Sequence, residues 1–270
     1  MSNNKTDKIR AIMKQDGVLL IELLIVIMII GILVAGAVKT WDTVIVQTRF
    51  NKTTEEMQQI VYAIVGNPEL ISEGRRTDFG YIGDMGVLPD SLVDLAIKPS
   101  GASDTCWRGP YLRSKFADNQ DDFLHDAWGN RYIYDKDSLV IISYASGTNL
   151  TPDKWINMRI AKSDSVLLRN AISGYIKDLT GNVPGFQFGR LRVYITYPYN
   201  GNLWTPIGYI PQDGSGFYQI PPDIPQGNHR IKCIYYETNM IDTVDYMEKF
   251  VCVYPGIPNT VDFKLSIKFE

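Results

Sequence analysis

The sequence predicts an α+β protein in which a long N-terminal transmembrane helix packs on a small antiparallel sheet and is followed by an all-β sandwich domain. Three observations support this fold class. Residues 18–38 form an apolar run, helical periodicity continues beyond it, and short alternating strands separated by Gly, Pro, Asn and Asp turns fill the C-terminal part. The expected divisions are an N-terminal leader (1–17), the transmembrane helix (18–38), a mixed head (39–162) and the sandwich (163–270).

The composition excludes several classes of function. The 270 residues suffice for about two domains, with 45% hydrophobic residues, 21% charged residues and a formal net charge of −3. The sequence has no basic tract interleaved with aromatic residues, so nothing in it indicates a nucleic-acid partner. The two histidines, His125 and His229, are far apart in the sequence, and no nucleophile elbow, P-loop or dinucleotide fingerprint is present. We therefore expect no catalytic residues and no enzymatic activity.

The apolar run from Val18 to Val38 is long enough to cross a bilayer. Its 21 residues would span roughly 32 Å as a helix, and the hydrocarbon core of a bilayer is about 30 Å thick. The run is longer than the core of a cleaved secretory signal, which has about 7–15 residues. Basic residues outnumber acidic ones before it, so the N-terminus is expected in the cytoplasm and the rest of the chain outside.

Glu22 is the single charge in this run. A charged side chain within the hydrocarbon costs about 2.5–3.5 kcal/mol, and the run contains no Lys or Arg to pair with it. A cut between Gly17 and Val18 would create an α-amine one helical turn away. The amine of one subunit and the carboxylate of its neighbour could then neutralise each other. Without the cut, the run would be a plain membrane anchor.

The pattern "G-VLLIELLIVIMIIGILVAGAV" resembles the N-terminus of type IV pilins and type II secretion pseudopilins. These proteins have a short basic leader ending in Gly, an apolar helix, and a Glu four residues after the new N-terminus. The resemblance implies cleavage after Gly17 by a prepilin peptidase, N-methylation of Val18, and a role for Glu22 in assembly. It also implies partners, namely other pilin-like subunits, the peptidase/methyltransferase and an inner-membrane assembly platform.

The head is expected to pack on the end of the long helix. Met57, Ile60, Val61 and Ile64 recur at i, i+3, i+4 and i+7, which predicts an apolar stripe, and residues 66–68 (Gly-Asn-Pro) end the helix. Farther along, "LPDSLVDLAIK" predicts a short helix. The segment "WGNRYIYDKDSLVIISYASG" predicts a β-hairpin. In the short helix, the residues expected to face inward are Leu92, Leu95 and Ala96.

Three head motifs, "VLPDSLVDLAIKPSG", "CWRGPYL" and "HDAWGNRYIYD", resemble segments of the major pseudopilin of type II secretion in the same order. With the N-terminus, the resemblance covers about residues 18–150. It implies the pilin fold, in which these motifs are structural. It further implies a pseudopilus subunit for protein secretion across the outer membrane, anchored in the inner membrane with a periplasmic head. A true type IV pilus remains an open alternative.

Major pseudopilins order a loop after the last strand with calcium. The matching stretch here offers only Asp153, Asn149 and Thr148, which is too few for a cation that takes about six to eight oxygens. We therefore do not carry that site over, and we expect no metal and no cofactor. A second acidic group is an alternative calcium site, although such runs are more often solvated. It consists of Asp118, Asp121, Asp122 and Asp126.

The C-terminal part resembles the carboxypeptidase regulatory-like (transthyretin-like) β-sandwich over about residues 166–270. The motifs are Ser-Gly-x-x-x-Asp-x-x-Gly-Asn at 173–182, Asp-Gly-x-Gly-x-Tyr-x-Ile at 213–220 and Pro-Gln-Gly at 225–227. The resemblance implies fold and binding, not catalysis. It leaves open a second function, a membrane-anchored binding or adhesion module, or a minor or tip subunit.

Two of the three cysteines, Cys233 and Cys252, lie on predicted strands that could be neighbours. Export to an oxidising compartment permits disulfides. The alternatives are therefore a Cys233–Cys252 bridge and two free, buried thiols.

Overall fold

A computed structural model describes residues 4–112 and 121–269, with the side chains of residues 20–36 and 41–65 in its first helix. The chain is α+β, with one long apolar N-terminal helix and several antiparallel sheets. It divides into two compact units, Met1–Lys52 and Thr53–Glu270. The head and the sandwich therefore belong to the same unit.

The helix α1 spans Asn4–Val65. Its last turns present Met57, Ile60, Val61 and Ile64 on one face, and all four are buried, as the periodicity predicts. The core that they join also contains Ile82, Leu95, Ile141 and Leu167.

A three-stranded sheet and several short elements complete the head. The predicted hairpin is confirmed as β3 (Ile133–Asp135) and β4 (Val140–Ser143). A third antiparallel strand, β5 (Ile156–Arg159), and the helix α2 (Gly80–Met85) were not predicted. The segment expected to form a short helix is a 3₁₀ turn, Leu92–Leu95, which buries both leucines and leaves Ala96 half-buried. This part also contains the small hairpin β1 (Ile71–Ser72) and β2 (Arg75–Arg76) and the helix α3 (Asp164–Leu168).

The C-terminal part is built from two sheets around a second core. The strands are β6 (Asn170–Lys177), β7 (Leu191–Tyr199), β8 (Asn202–Trp204), β9 (Phe217–Ile224), β10 (Gly227–Tyr236), β11 (Thr243–Val253), β12 (Asn259–Thr260) and β13 (Phe263–Lys264). One sheet has the order β11–β10–β7–β8, and all its pairs are antiparallel. In the other sheet β6 pairs antiparallel with β9 but parallel with β12 and β13.

The C-terminal end of α1 is where the sandwich attaches to the head. Gly66 ends the helix with φ +85°, a conformation that favours glycine. Arg76 Nη2 donates hydrogen bonds to the carbonyl oxygens of Val65 (2.7 Å) and Gly66 (2.9 Å). From the sandwich, the fully buried Gln226 donates through Nε2 to the carbonyls of Val65 (2.8 Å) and Phe79 (3.2 Å). The last carbonyls of the helix thus accept hydrogen bonds from both the head and the sandwich.

A hairpin turn makes the second attachment. Asn200 and Gly201, both at positive φ, connect β7 to β8 as a two-residue loop of the Asn-Gly kind. The backbone of Gly201 donates to Met85 O (2.8 Å) and accepts from Ser103 N (2.8 Å), both in the head. A Cβ at Gly86 would collide with the carbonyl oxygen of Pro198, so glycine is required for this close approach.

We predict that Gln226→Ala weakens the attachment of the sandwich. The substitution removes two hydrogen bonds at a fully buried position, and we expect the free energy of unfolding to fall by roughly 1–3 kcal/mol. Guanidinium titration of the full chain in detergent micelles, followed by tryptophan fluorescence, measures the change. Gln219→Ala, at an exposed site on β9, is the matched control. An equal effect of both substitutions would contradict this role.

Asp178 organises the first turn of the sandwich. It is fully buried, and its Oδ1 accepts hydrogen bonds from Thr180 N, Thr180 Oγ1 and Asn182 N, each at 2.8 Å. Its Oδ2 accepts from Phe269 N at 3.2 Å. Burial alone would raise the pKa of this carboxyl, but these hydrogen bonds outweigh burial and lower the pKa to about 2.

This pKa predicts a specific loss of stability in acid. An Asp has a pKa of about 3.9 in an unfolded chain, so the contribution of Asp178 is complete above about pH 4 and is lost as the pH falls toward 2. We expect Asp178→Asn to flatten the decline of unfolding free energy between pH 4 and pH 2. Denaturant titrations at several pH values measure it. Asp137→Asn, at an exposed site in the β3–β4 turn, should leave the decline unchanged.

Candidate functional site

In the part of the chain that the structure describes, the side chains of the apolar segment of α1 are exposed. Every large apolar side chain from Leu20 to Val34 is exposed, with values between 49% at Ile25 and 68% at Leu20. The helix is long and apolar enough to span a membrane. A helix that is apolar on all sides requires surroundings other than water, either lipid or other helices.

Glu22 lies on this exposed segment, two residues after Leu20. Its side chain is exposed, and among the described residues it forms no ion pair. Gly17 and Val18 belong to the backbone of α1, and the side chain of Val18 lies outside the described part of the chain. The structure therefore places Glu22 on an apolar surface, and no cationic side chain among the described residues pairs with it.

The structure describes three of the four residues in the acidic group considered for calcium. Asp118 lies outside the described residues, Asp121 and Asp122 are exposed, and Asp126 is buried. Among the residues that the structure describes, no group of three or more His, Cys, Asp or Glu side chains is placed to hold a metal ion. In the other candidate loop the carbonyl of Thr148 already accepts a hydrogen bond from Trp155 Nε1 at 2.8 Å.

Asp126 has a structural role that accounts for its burial. Its Oδ1 accepts from the backbone N–H groups of Trp128 (2.9 Å) and Asn130 (2.8 Å). Its Oδ2 accepts from Ser143 Oγ (2.5 Å) and from Asn130 Nδ2 (3.2 Å). The next backbone N–H, that of Ala127, donates to Thr53 Oγ1 on α1 at 3.1 Å. These hydrogen bonds hold the segment from Asp126 to Asn130 between the head sheet and α1. The carboxylate of Asp126 has no free capacity for a cation.

The histidines and cysteines do not form a site. His229 is buried with Nε2 2.7 Å from the carbonyl oxygen of Pro225, and burial lowers its pKa to about 4. His125 lies in the head, next to the carbonyl of Asp121.

The strands that carry Cys233 and Cys252 are neighbours, as expected, but the bridge between them is not formed. Cys233 lies opposite Met247 and Cys252 lies opposite Asn228, so the two cysteines are five positions apart in the register. Both thiols are free, Cys233 fully buried and Cys252 half-buried. A disulfide bond requires the two Cα atoms to lie within about 7 Å of each other. Two cysteines separated by this register offset on paired strands are too far apart.

A groove between the head and the β7–β8 hairpin was not predicted. It has a volume of about 510 Å³ and is lined by aromatic and charged side chains. The sequence signal that could have indicated it is "YPYNGNLW", residues 197–204, which places aromatic residues on both sides of an Asn-Gly turn. Its other walls come from distant segments.

No protein-family model matches this chain, and no curated protein is significantly similar to it.

We predict that Asp126→Ala destabilises the head strongly. Removing the carboxylate leaves the donors on Trp128, Asn130 and Ser143 without their acceptor, and we expect a loss of roughly 2–4 kcal/mol in unfolding free energy. Denaturant titration of the full chain in micelles measures the loss. The control is Asp122→Ala, which removes a neighbouring exposed carboxylate. A small effect at Asp126, or a rise in stability on adding calcium that Asp126→Ala abolishes, would contradict the structural role.

Proposed function

We propose that the protein is a structural subunit of a type II secretion pseudopilus or a related type IV pilus-like filament, assembling through its apolar helix. In this proposal prepilin peptidase removes residues 1–17 and Val18 is N-methylated. The observation that carries the proposal is an apolar surface of membrane length, from Leu20 to Val34, that bears one carboxylate and is exposed among the residues that the structure describes.

The solvation free energy of its apolar side chains allows this helix to lie in lipid or to pack against the same helix of other subunits. Burying one large aliphatic side chain contributes roughly 1.5–3 kcal/mol, so exposure of the whole segment to water would cost tens of kcal/mol. Lipid and neighbouring helices both remove this cost. Within lipid, helices associate through close packing and polar contacts rather than through the hydrophobic effect. The same segment can therefore anchor the monomer before assembly and form the filament core afterwards.

Glu22 supplies the polar contact. After cleavage, the new α-amine of one subunit can pair with the carboxylate of its neighbour, which offsets the cost of a charge in an apolar environment. The pairing fixes the axial offset between adjacent helices, because it forms at only one relative height. We propose that this contact sets the register of the filament.

In this proposal the head and sandwich face the periplasm. Because they form one compact unit, each assembled subunit would display its sandwich in the same way. The energy for assembly would come from other components, since no nucleotide-binding motif is present in the sequence.

A second candidate function is a membrane-anchored binding or adhesion module, including a minor or tip subunit. The groove between head and hairpin favours it, because it offers a concave, partly aromatic surface of about 510 Å³. This alternative does not require cleavage or a role for Glu22 in assembly.

The two candidates differ in what they predict for the N-terminus. We expect mass spectrometry of the protein from membranes of cells with an active prepilin peptidase to find a chain that begins at a methylated Val18. We expect Glu22→Ala to abolish recovery of filaments in the sheared fraction. Glu55→Ala, the same change at an exposed site of the same helix, should assemble normally. An intact leader, or normal filaments with Glu22→Ala, would support the anchored module instead.

A further inference from the structure

The groove beside the β7–β8 hairpin exists only because head and sandwich are packed together. One wall is the hairpin, a second is the C-terminal end of α2 with Gly86 and Val87, and a third is the junction of α3 and β6 with Arg169. The volume, about 510 Å³, is within the range of roughly 300–1,000 Å³ found for small-molecule sites. Hydrogen bonds from the turn to Met85 and Ser103 hold the hairpin wall in place.

The hairpin presents three aromatic rings to this groove. Tyr197 and Trp204 are directly opposite each other across β7 and β8, and Tyr199 lies two residues along on the same face. Tyr197 is buried, but Tyr199 is 55% exposed and Trp204 is 53% exposed. Two large aromatic side chains are thus left open to solvent on a concave surface, although rings of this size usually bury most of their area.

The polar residues of the groove have unused hydrogen-bonding capacity. Arg169, Asp223 and Asn200 line it, and all three are exposed. In the part of the chain that the structure describes, none of these three side chains forms a hydrogen bond or an ion pair. Each of them is planar and can contact two adjacent hydroxyl groups at once.

The charges of the groove narrow the class of ligand. Arg169 and Asp223 give a positive and a negative charge that balance, so an anion would meet the carboxylate and a cation would meet the guanidinium. A wholly apolar ligand would remove both charges from water without replacing their hydrogen bonds, which is costly. A neutral ligand with many hydroxyl groups and apolar C–H faces satisfies all the groups, because its hydroxyls bond the polar residues and its C–H groups lie on the electron-rich ring faces.

We propose that this groove binds a neutral oligosaccharide. Tyr199 and Trp204 stack on its sugar rings, and Arg169, Asp223 and Asn200 bond its hydroxyl groups. The proposal goes beyond the filament function, because it assigns a ligand class to the exposed part of the subunit. It does not depend on assembly, since the groove is formed within a single chain.

The test uses the full chain in micelles of a zwitterionic detergent, because detergents with sugar headgroups would compete. The protein is first applied to an array of immobilised neutral and acidic oligosaccharides. The neutral oligosaccharide that binds best is then titrated by calorimetry. We expect Trp204→Ala to weaken its binding by about tenfold or more, a loss of roughly 1.4 kcal/mol. Phe250→Ala removes a ring that is 69% exposed on β11 and should change the affinity less than about twofold.

Further variants separate stacking from charge. Asp223→Asn and Arg169→Gln should each weaken binding of the neutral ligand, and circular dichroism should show that both variants and Trp204→Ala are folded. The proposal is overturned if no neutral oligosaccharide binds, if acidic oligosaccharides bind through Arg169 alone, or if Trp204→Ala leaves the affinity unchanged. Because the titration uses unassembled protein, a failure here is distinct from a failure of filament formation.

Discussion

The carbonyl oxygens at the end of α1 are the point on which the folded unit depends. A helix end leaves its last carbonyls without intrahelical partners, and burial makes such groups costly. Here the carbonyl of Val65 accepts one hydrogen bond from Arg76 in the head and one from Gln226 in the sandwich. A single backbone oxygen therefore ties three parts of the chain together. The head and the sandwich belong to the same compact unit, and this junction is one of the contacts that join them.

Features encoded in a short stretch of sequence could be predicted. Features that depend on contacts between segments distant in the sequence could not. The buried face of α1, its end at Gly66 and the β3–β4 hairpin follow from periodicity and turn residues. The helix α2 was missed because "GYIGDM" has two glycines and resembles a loop, yet packing of Tyr81 and Ile82 holds it in helical form. The register that separates the two strand cysteines is set across β10 and β11, and no local pattern shows it.

The two candidate sites also differ in whether the sequence alone could identify them. Glu22 could be identified from the sequence because a lone carboxylate in an apolar run is anomalous wherever the helix lies. The groove could not, since its residues come from four separate segments that only the fold brings together. Asp126 shows the opposite case. The sequence places it in an acidic run, for which a solvated face was the main expectation and a calcium site the alternative, but it is buried and its oxygens are occupied by backbone and hydroxyl donors.

Assembly into a filament would strengthen the proposed saccharide binding, because the filament contains many copies of the groove. One groove open to solvent offers few contacts, so a single subunit would hold a saccharide weakly. A filament would repeat the groove at fixed spacing, and linked sites bind a repetitive ligand far more tightly than one site does, provided that the geometry allows simultaneous contact. That condition requires a fixed orientation of the groove, which the hydrogen bonds of Gly201 to Met85 and Ser103 provide within the unit. Display of a rigid, weak site in many copies would give the sandwich a purpose that a plain filament subunit does not need.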